Sequence, residues 1–200
     1  MPAKARTSTE AVVAAGRAII ERDGLAALTM LAVAEAVGVK GASLYKRVPS
    51  RAALVTMIAE QVTLELVDEV ESAIGSGDPA HELRAFADAF RSFAHRNPGT
   101  YPLLFDPDQG AVSPEVRERS AAAVRRVAAA LAGPEHELSA ARLLTAWAHG
   151  FVSMELASAF QLGGDVDQAW EFALDRLAAA LVVTARPVAG RVSRTRTGRT

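Results

Sequence analysis

The sequence contains no cysteine, which excludes disulfides, thiol catalysis, thiolate metal ligands and redox sensing through a thiol. Long apolar runs are missing as well. No stretch approaches the roughly 18 consecutive apolar residues of a membrane-spanning helix, and Met1-Pro2-Ala3-Lys4-Ala5-Arg6 has no apolar signal core. A cytoplasmic protein with no membrane partner is the expectation. Enzyme signatures are also absent: there is no Gly-rich phosphate loop, no Gly-x-Ser-x-Gly and no two-histidine helix motif. His81, His95 and His136 lack metal-ligand spacing, so no metal, cofactor or catalytic residue is expected. The carboxylates Glu65, Asp68, Glu69 and Glu71 read as a solvated helix face. Net charge is almost nil, −1 over 200 residues, but its distribution is uneven. Residues 1–51 carry +4, residues 52–185 carry −10 and residues 186–200 carry +5. A basic end on an acidic body focuses attraction for a polyanion onto that end.

Half of the chain is hydrophobic, enough for a small head and a larger helical body. Helical periodicity dominates and no segment sustains strand alternation, so the fold class is all-α with about nine helices. Thr7 and Glu10 have capping-box spacing ahead of Val12, Val13, Ile19 and Ile20, a first helix that runs to Asp23-Gly24. Ser50 caps a long helix over 51–74 with a stripe of Leu54, Ile58, Val62 and Leu66. Asp78-Pro79 and Ser113-Pro114 each pair a cap with a proline at the first helical position. Asn97-Pro98-Gly99 and Asp106-Pro107 isolate a short helical turn from Tyr101 to Phe105. Two further helices are expected over about 139–161 and 165–185. The domains read as 1–52, a three-helix head; 53–185, a larger helical body; and 186–200, an Arg-rich disordered tail.

The segment from Thr29 to Arg51 reads as two short helices joined by a tight turn at Gly38, a helix-turn-helix. Thr29 caps the first; Val33, Ala34 and Val37 offer a small apolar face to the second; Val39 plugs the corner. The second helix then projects Lys40, Ser43, Tyr45, Lys46 and Arg47, cations and hydroxyls with no acid among them. That chemistry suits phosphates and base edges. With Gly41 and Ala42 on the same surface, and Thr29 and Arg51 at flanking helix starts, these form the candidate DNA-binding set.

The run Thr29, Val33-Ala34, Gly38-Val39, Leu44-Tyr45, Pro49-Ser50-Arg51 and Leu54 resembles the DNA-binding signature of TetR-type transcriptional regulators, and Ala14-Ala15, Ile19 and Gly24 fit their first helix. Lys40, Ala42-Ser43 and Val48 depart from the usual residues. The resemblance implies that Ser43 and Tyr45 contact phosphate and base. Trp147-Ala148-His149-Gly150, followed by Met154-Glu155-Leu156, resembles the Trp-x-x-x-His-Gly type of C-terminal domain in that family. This implies a ligand-sensing body whose last two helices form a dimer contact.

The residues bear on both implications. Ala146, Gly150, Ser153 and Ala157 make one helical stripe of small side chains, and Trp170, Leu174, Leu177 and Leu181 continue an apolar stripe from Val166. Either set can serve a four-helix homodimer interface or pack inside one subunit. Phe86, Phe90 and Phe93, with Tyr101, Phe105, Val124, Val127, Trp147, Phe151 and Met154, read as the wall of an apolar effector pocket or as plain core. His149, alone beside Gly150, reads as a hydrogen-bonded structural group or a ligand contact. The expected function is an effector-responsive regulator, a repressor binding a palindromic double-stranded DNA operator as a homodimer and released by a small apolar molecule. Two alternatives are a non-specific nucleoid-type binder relying on the tail, and a ligand-binding or interaction protein without specific DNA binding.

Overall fold

In a computed structural model of the chain, which describes residues 8–75, 77–106 and 112–182, side-chain caps open most of the helices. α1 (Thr9–Asp23) begins at Ser8, whose hydroxyl accepts the Ala11 N–H. The cap therefore stands one residue after the expected Thr7, which lies outside the described residues. Thr29 caps α2 (Met30–Ala36) and Lys40 precedes the short α3 (Gly41–Tyr45). Ser50 caps α4 (Arg51–Ala73), Asp78 caps α5 (Pro79–Arg96) and Ser113 caps α6 (Pro114–Ala132). α7 (Glu137–Leu156) starts without a side-chain cap, and Asp165 caps α8 (Val166–Leu181). Each cap satisfies N–H groups that a first helical turn leaves unpaired, worth about 1 kcal/mol apiece.

The described residues thus form eight α-helices and two 3-10 turns, Leu25–Ala27 and Tyr101–Leu104, with no strand. The ninth expected element is the second of these turns. α7 stops earlier than expected because Ser158 adopts a left-handed conformation, φ 51°. The Ala159 N–H then bonds back to the Met154 carbonyl at 2.8 Å and the Ser158 N–H to that of Glu155 at 2.8 Å, a Schellman closure without glycine. The rest of the helix expected to 185, and the tail 186–200, lie outside the described residues.

Two apolar cores result. The first gathers Val12, Val13, Ile19 and Ile20 of α1, Val33 and Ala34 of α2, Leu44 of α3, Val48, and Leu54, Val55, Ile58, Ala59 and Val62 of α4. Gly16 lets α1 press onto α4: a Cβ there would stand 2.9 Å from Ile58 Cδ1 and 3.3 Å from Leu54 Cδ2. The second core packs α5, α6, α7 and α8 against the far half of α4. The expected boundary at 52/53 falls inside continuous α4. The first core also draws in Phe93 of α5 and Leu103 of the 3-10 turn, both nearly fully buried.

Candidate nucleic-acid interface and ligand cavity

Leu44 and Val48 anchor the recognition segment, at 1% and 0% exposure. Their burial fixes which way its other residues face. Lys40, Gly41, Ala42, Ser43, Tyr45, Lys46 and Arg47 are all exposed. The turn before it is closed by Val39 N–H to the Ala34 carbonyl at 2.9 Å, with Gly38 at φ 70° supplying a conformation that other residues rarely adopt. Lys40, Lys46 and Arg47 enter no ion pair among the described residues. The Glu10 carboxyl lies below its ordinary pKa, first through the Ser8 hydroxyl and in lesser part through the charge of Arg47. Thr29 is exposed, its hydroxyl accepting the Ala32 N–H at 3.1 Å.

Arg51 is placed differently from the sequence expectation. Its Nε donates to the Leu28 carbonyl at 2.7 Å and its Nη2 to the Leu25 carbonyl at 2.8 Å. The guanidinium braces the α1–α2 connection against α4, where a backbone contact to DNA was expected. The first 3-10 turn, invisible as a helical period, supplies one of those carbonyls.

The body contains a cavity of about 260 Å³ between α4, α5, α6 and α7. Of the expected pocket residues, Phe86, Phe90, Phe105 and Val124 line it. Leu66, Val67 and Val70 of α4, Leu104, Ala121, Ala123 and Ala148 complete the apolar wall, with Thr63, Ser120 and Thr145 adding hydroxyls. The remaining expected residues go elsewhere. Phe93 serves the first core, Val127 is fully buried in the second and Met154 is 43% exposed. Trp147 stacks on Trp170 at 4.6 Å, and Phe151 meets the same indole edge-on at 5.1 Å. Periodicity locates an apolar face but not which neighbour covers it. The α4 residues of the wall carried one sequence signal, Thr63 within an otherwise apolar stripe.

Tyr101 is buried beside Phe90 and Phe105 rather than on the cavity wall. Burial pushes its phenol well above the ordinary range, and burial also lowers the His149 pKa below its usual value. The Tyr101 hydroxyl and His149 Nδ1 share a hydrogen bond across 2.9 Å. The imidazole stacks on Phe105 at 3.9 Å. His149 holds two aromatics in place and is not itself a wall residue.

One segment touches both regions. Glu21 of α1 accepts the Gly99 N–H at 2.8 Å, the Thr100 N–H at 3.1 Å and the Thr100 hydroxyl. Arg17 bonds Glu65 at 2.7 Å and the Asn97 side-chain oxygen at 2.8 Å. Gly99 is needed for the approach, since a Cβ would lie 2.6 Å from the Ile20 carbonyl oxygen and 2.8 Å from Glu21 Cα. Immediately after, Leu103 enters the first core while Leu104 and Phe105 line the cavity.

The candidate dimer face is revised by burial. Trp170 and Leu174 are 1% and 2% exposed, and Leu177 and Leu181 pack half-buried on the same core. This stripe holds α8 to its own body. Trp170 Nε1–H also bonds Asp88 at 2.9 Å. Of the small stripe on α7, Ala146, Gly150 and Ala157 are exposed, whereas Ser153 is half-buried near His149. Beside them stand exposed Leu143 and Met154, and α8 exposes Phe172 at 63%.

The architecture agrees with comparisons to known proteins. Residues 12–58 match the profile of bacterial regulatory proteins of the tetR family, and residues 83–177 match that of the tetracyclin repressor-like C-terminal domain. An uncharacterised helix-turn-helix-type transcriptional regulator of Mycobacterium tuberculosis is 29% identical over 185 residues, covering 88% of this chain and 83% of its own. A protein of unknown function from Rhodococcus sp. RHA1 superposes with a TM-score of 0.72 at 25% identity, covering 87% of this chain and 95% of that one. The Streptomyces coelicolor TetR family protein ActR, in complex with (S)-DNPA, shares the fold with a TM-score of 0.66 at 19% identity, covering 88% and 98%. No helix among the described residues is long and apolar enough to cross a membrane. With its helix-turn-helix head and helical body both matched, this chain belongs to the TetR family of bacterial regulatory proteins.

Proposed function

We propose that the protein is a cytoplasmic repressor that binds a palindromic operator as a homodimer and is released when a small, largely apolar molecule enters the α4–α7 cavity. The observation that carries the reading is the exposed face of the recognition segment, where Ser43, Tyr45 and the cations Lys40, Lys46 and Arg47, which enter no ion pair among the described residues, stand over a locked Leu44–Val48 anchor. Lys40 and Lys46 reach for base edges; Ser43, Tyr45, Arg47 and the Thr29 helix start hold phosphates; Gly41 and Ala42 permit close approach. Arg51 supports this set from inside the head.

One short recognition helix binds weakly, and two heads spaced about 34–36 Å apart, or a multiple, read successive major grooves. The exposed side of α7 and α8, with Leu143, Ala146, Gly150, Met154 and Phe172, supports a four-helix contact between two copies. Apart from its chain neighbours and the backbone of its own helix, no atom of the described residues lies within 4 Å of where a Gly150 Cβ would stand, so a partner helix can come close. Occupancy of the cavity acts on the heads through α4 and through the 97–105 segment.

The test is a gel-shift assay with the DNA upstream of the protein's own gene. Wild type is expected to retard that fragment in preference to random DNA, and Tyr45→Ala to weaken binding roughly tenfold, about 1.4 kcal/mol, without lowering thermal stability. Equal binding of both DNAs at moderate salt, or a loss confined to variants lacking residues 186–200, would instead favour a non-specific binder. Ligand-dependent stabilisation with no specific shift would favour a ligand-binding protein without an operator.

A further inference from the structure

The wall of the cavity restricts what can occupy it. Among the described residues its lining contains no Asp, Glu, Lys, Arg or His, so an ion entering would lose hydration with no countercharge from them. Two of its three hydroxyls are biased too. The Thr63 hydroxyl donates to the Ala59 carbonyl at 2.7 Å and the Ser120 hydroxyl to the Arg117 carbonyl at 2.8 Å. Both protons are engaged within their own helices, which leaves oxygen lone pairs available to a guest. Such oxygens accept from O–H or N–H and repel a carboxylate.

Size adds a second limit. An apolar cavity of roughly 150 Å³ accommodates benzene, so about 260 Å³ suits on the order of ten non-hydrogen atoms. Phe86, Phe90 and Phe105 favour an aromatic guest by offset or edge contacts. We propose that the cavity takes an uncharged molecule of naphthalene size whose polar group is a hydrogen-bond donor, and that it discriminates against carboxylates and ammonium ions of the same shape. This rests on the cavity being the effector site.

The experiment is calorimetric titration of the full-length protein at neutral pH with 2-naphthol, 2-methoxynaphthalene, 2-naphthoate and 2-naphthylmethylammonium. Expected is tightest binding of 2-naphthol, several-fold weaker binding of the methyl ether, and at least tenfold weaker binding of either ion. Thr63→Val should bring 2-naphthol towards the ether, and Ala121→Phe, which fills the cavity from a half-exposed wall position, should abolish binding while the fold persists by circular dichroism. Equal or tighter binding of an ion, undiminished binding to Ala121→Phe, or no neutral probe bound at millimolar concentration would overturn the proposal. Gel shifts on the same preparations separate the two readings. Specific DNA binding with no neutral probe bound would leave the regulator standing and remove this ligand class; 2-naphthol binding without any effect on DNA would do the reverse.

Discussion

Head and body handle charge in opposite ways. In the body, Arg84 pairs with Glu171 and Asp175, Arg91 with Glu155 and Asp167, Arg96 with Glu69, Arg119 with Asp68 and Glu71, and Arg125 with Glu118 and Glu137. All of them except Arg125–Glu118, which lies within α6, stitch neighbouring helices together. On the recognition face of the head, Lys40, Lys46 and Arg47 have no such partners among the described residues, while Arg51 and Arg17 turn inward to brace it. The difference teaches that cation count is a poor guide to a nucleic-acid face. What matters is whether the local fold has already neutralised each charge.

The contrast in charge is not a contrast in folding, because the first core needs body residues. Phe93→Ala should give the largest effect, a loss of about 3–5 kcal/mol, seen as one cooperative drop in melting temperature with head and body helices unfolding together. A head that melts separately while the body is unaffected would break the picture of a shared core. Glu21→Ala comes next, since it leaves the Gly99 and Thr100 donors short of an acceptor; about 1–3 kcal/mol should be lost. Hydrogen exchange in α1–α3 should rise more than in α6 and α7, and equal protection in both would count against the clasp.

Lys46→Ala should sharpen the electrostatic half of the comparison. Stability should change by no more than about 0.5 kcal/mol. With Lys46 at a base edge, sequence preference should relax at its contact; a slope of log affinity against log salt that falls by about one with preference unchanged would assign it to a phosphate instead. The smallest effect concerns His149 in the body. Burial lowers its pKa, so the unfolded chain takes up a proton first. Stability from this group is complete above the usual imidazole value of about 6.5 and falls as pH drops from there through the lower folded value. Thermal melts against pH should flatten in that window for His149→Asn, and an identical slope in the variant would exclude His149 as its source.

Local signals carried the fold well. Thr29, Ser50, Asp78-Pro79 and Ser113-Pro114 mark helix starts because capping is a contact between near neighbours, and the structure shows each one in place. Ser158 ends α7 in a conformation that glycine usually marks, so the sequence pointed instead to Gly163-Gly164. The α8 stripe was legible as apolar, but a stripe does not say whether its own subunit or another covers it. Trp170 and Leu174 turned out to face inward. Arg51 and Phe93 were misplaced for a related reason, since both act on residues far away in the chain.

Continuous α4 has a mechanical consequence. At about 1.5 Å per residue its 23 residues span about 35 Å. Its first half is fused to the head by the shared core, and its second half lines the cavity. Tilting such a rod by about 5° carries its far end through about 3 Å, close to the roughly 3.4 Å step between base pairs. Under the proposed release by ligand, a displacement too small to disturb packing around the cavity would thereby be geared up, at the recognition segment, to one unit of the DNA repeat.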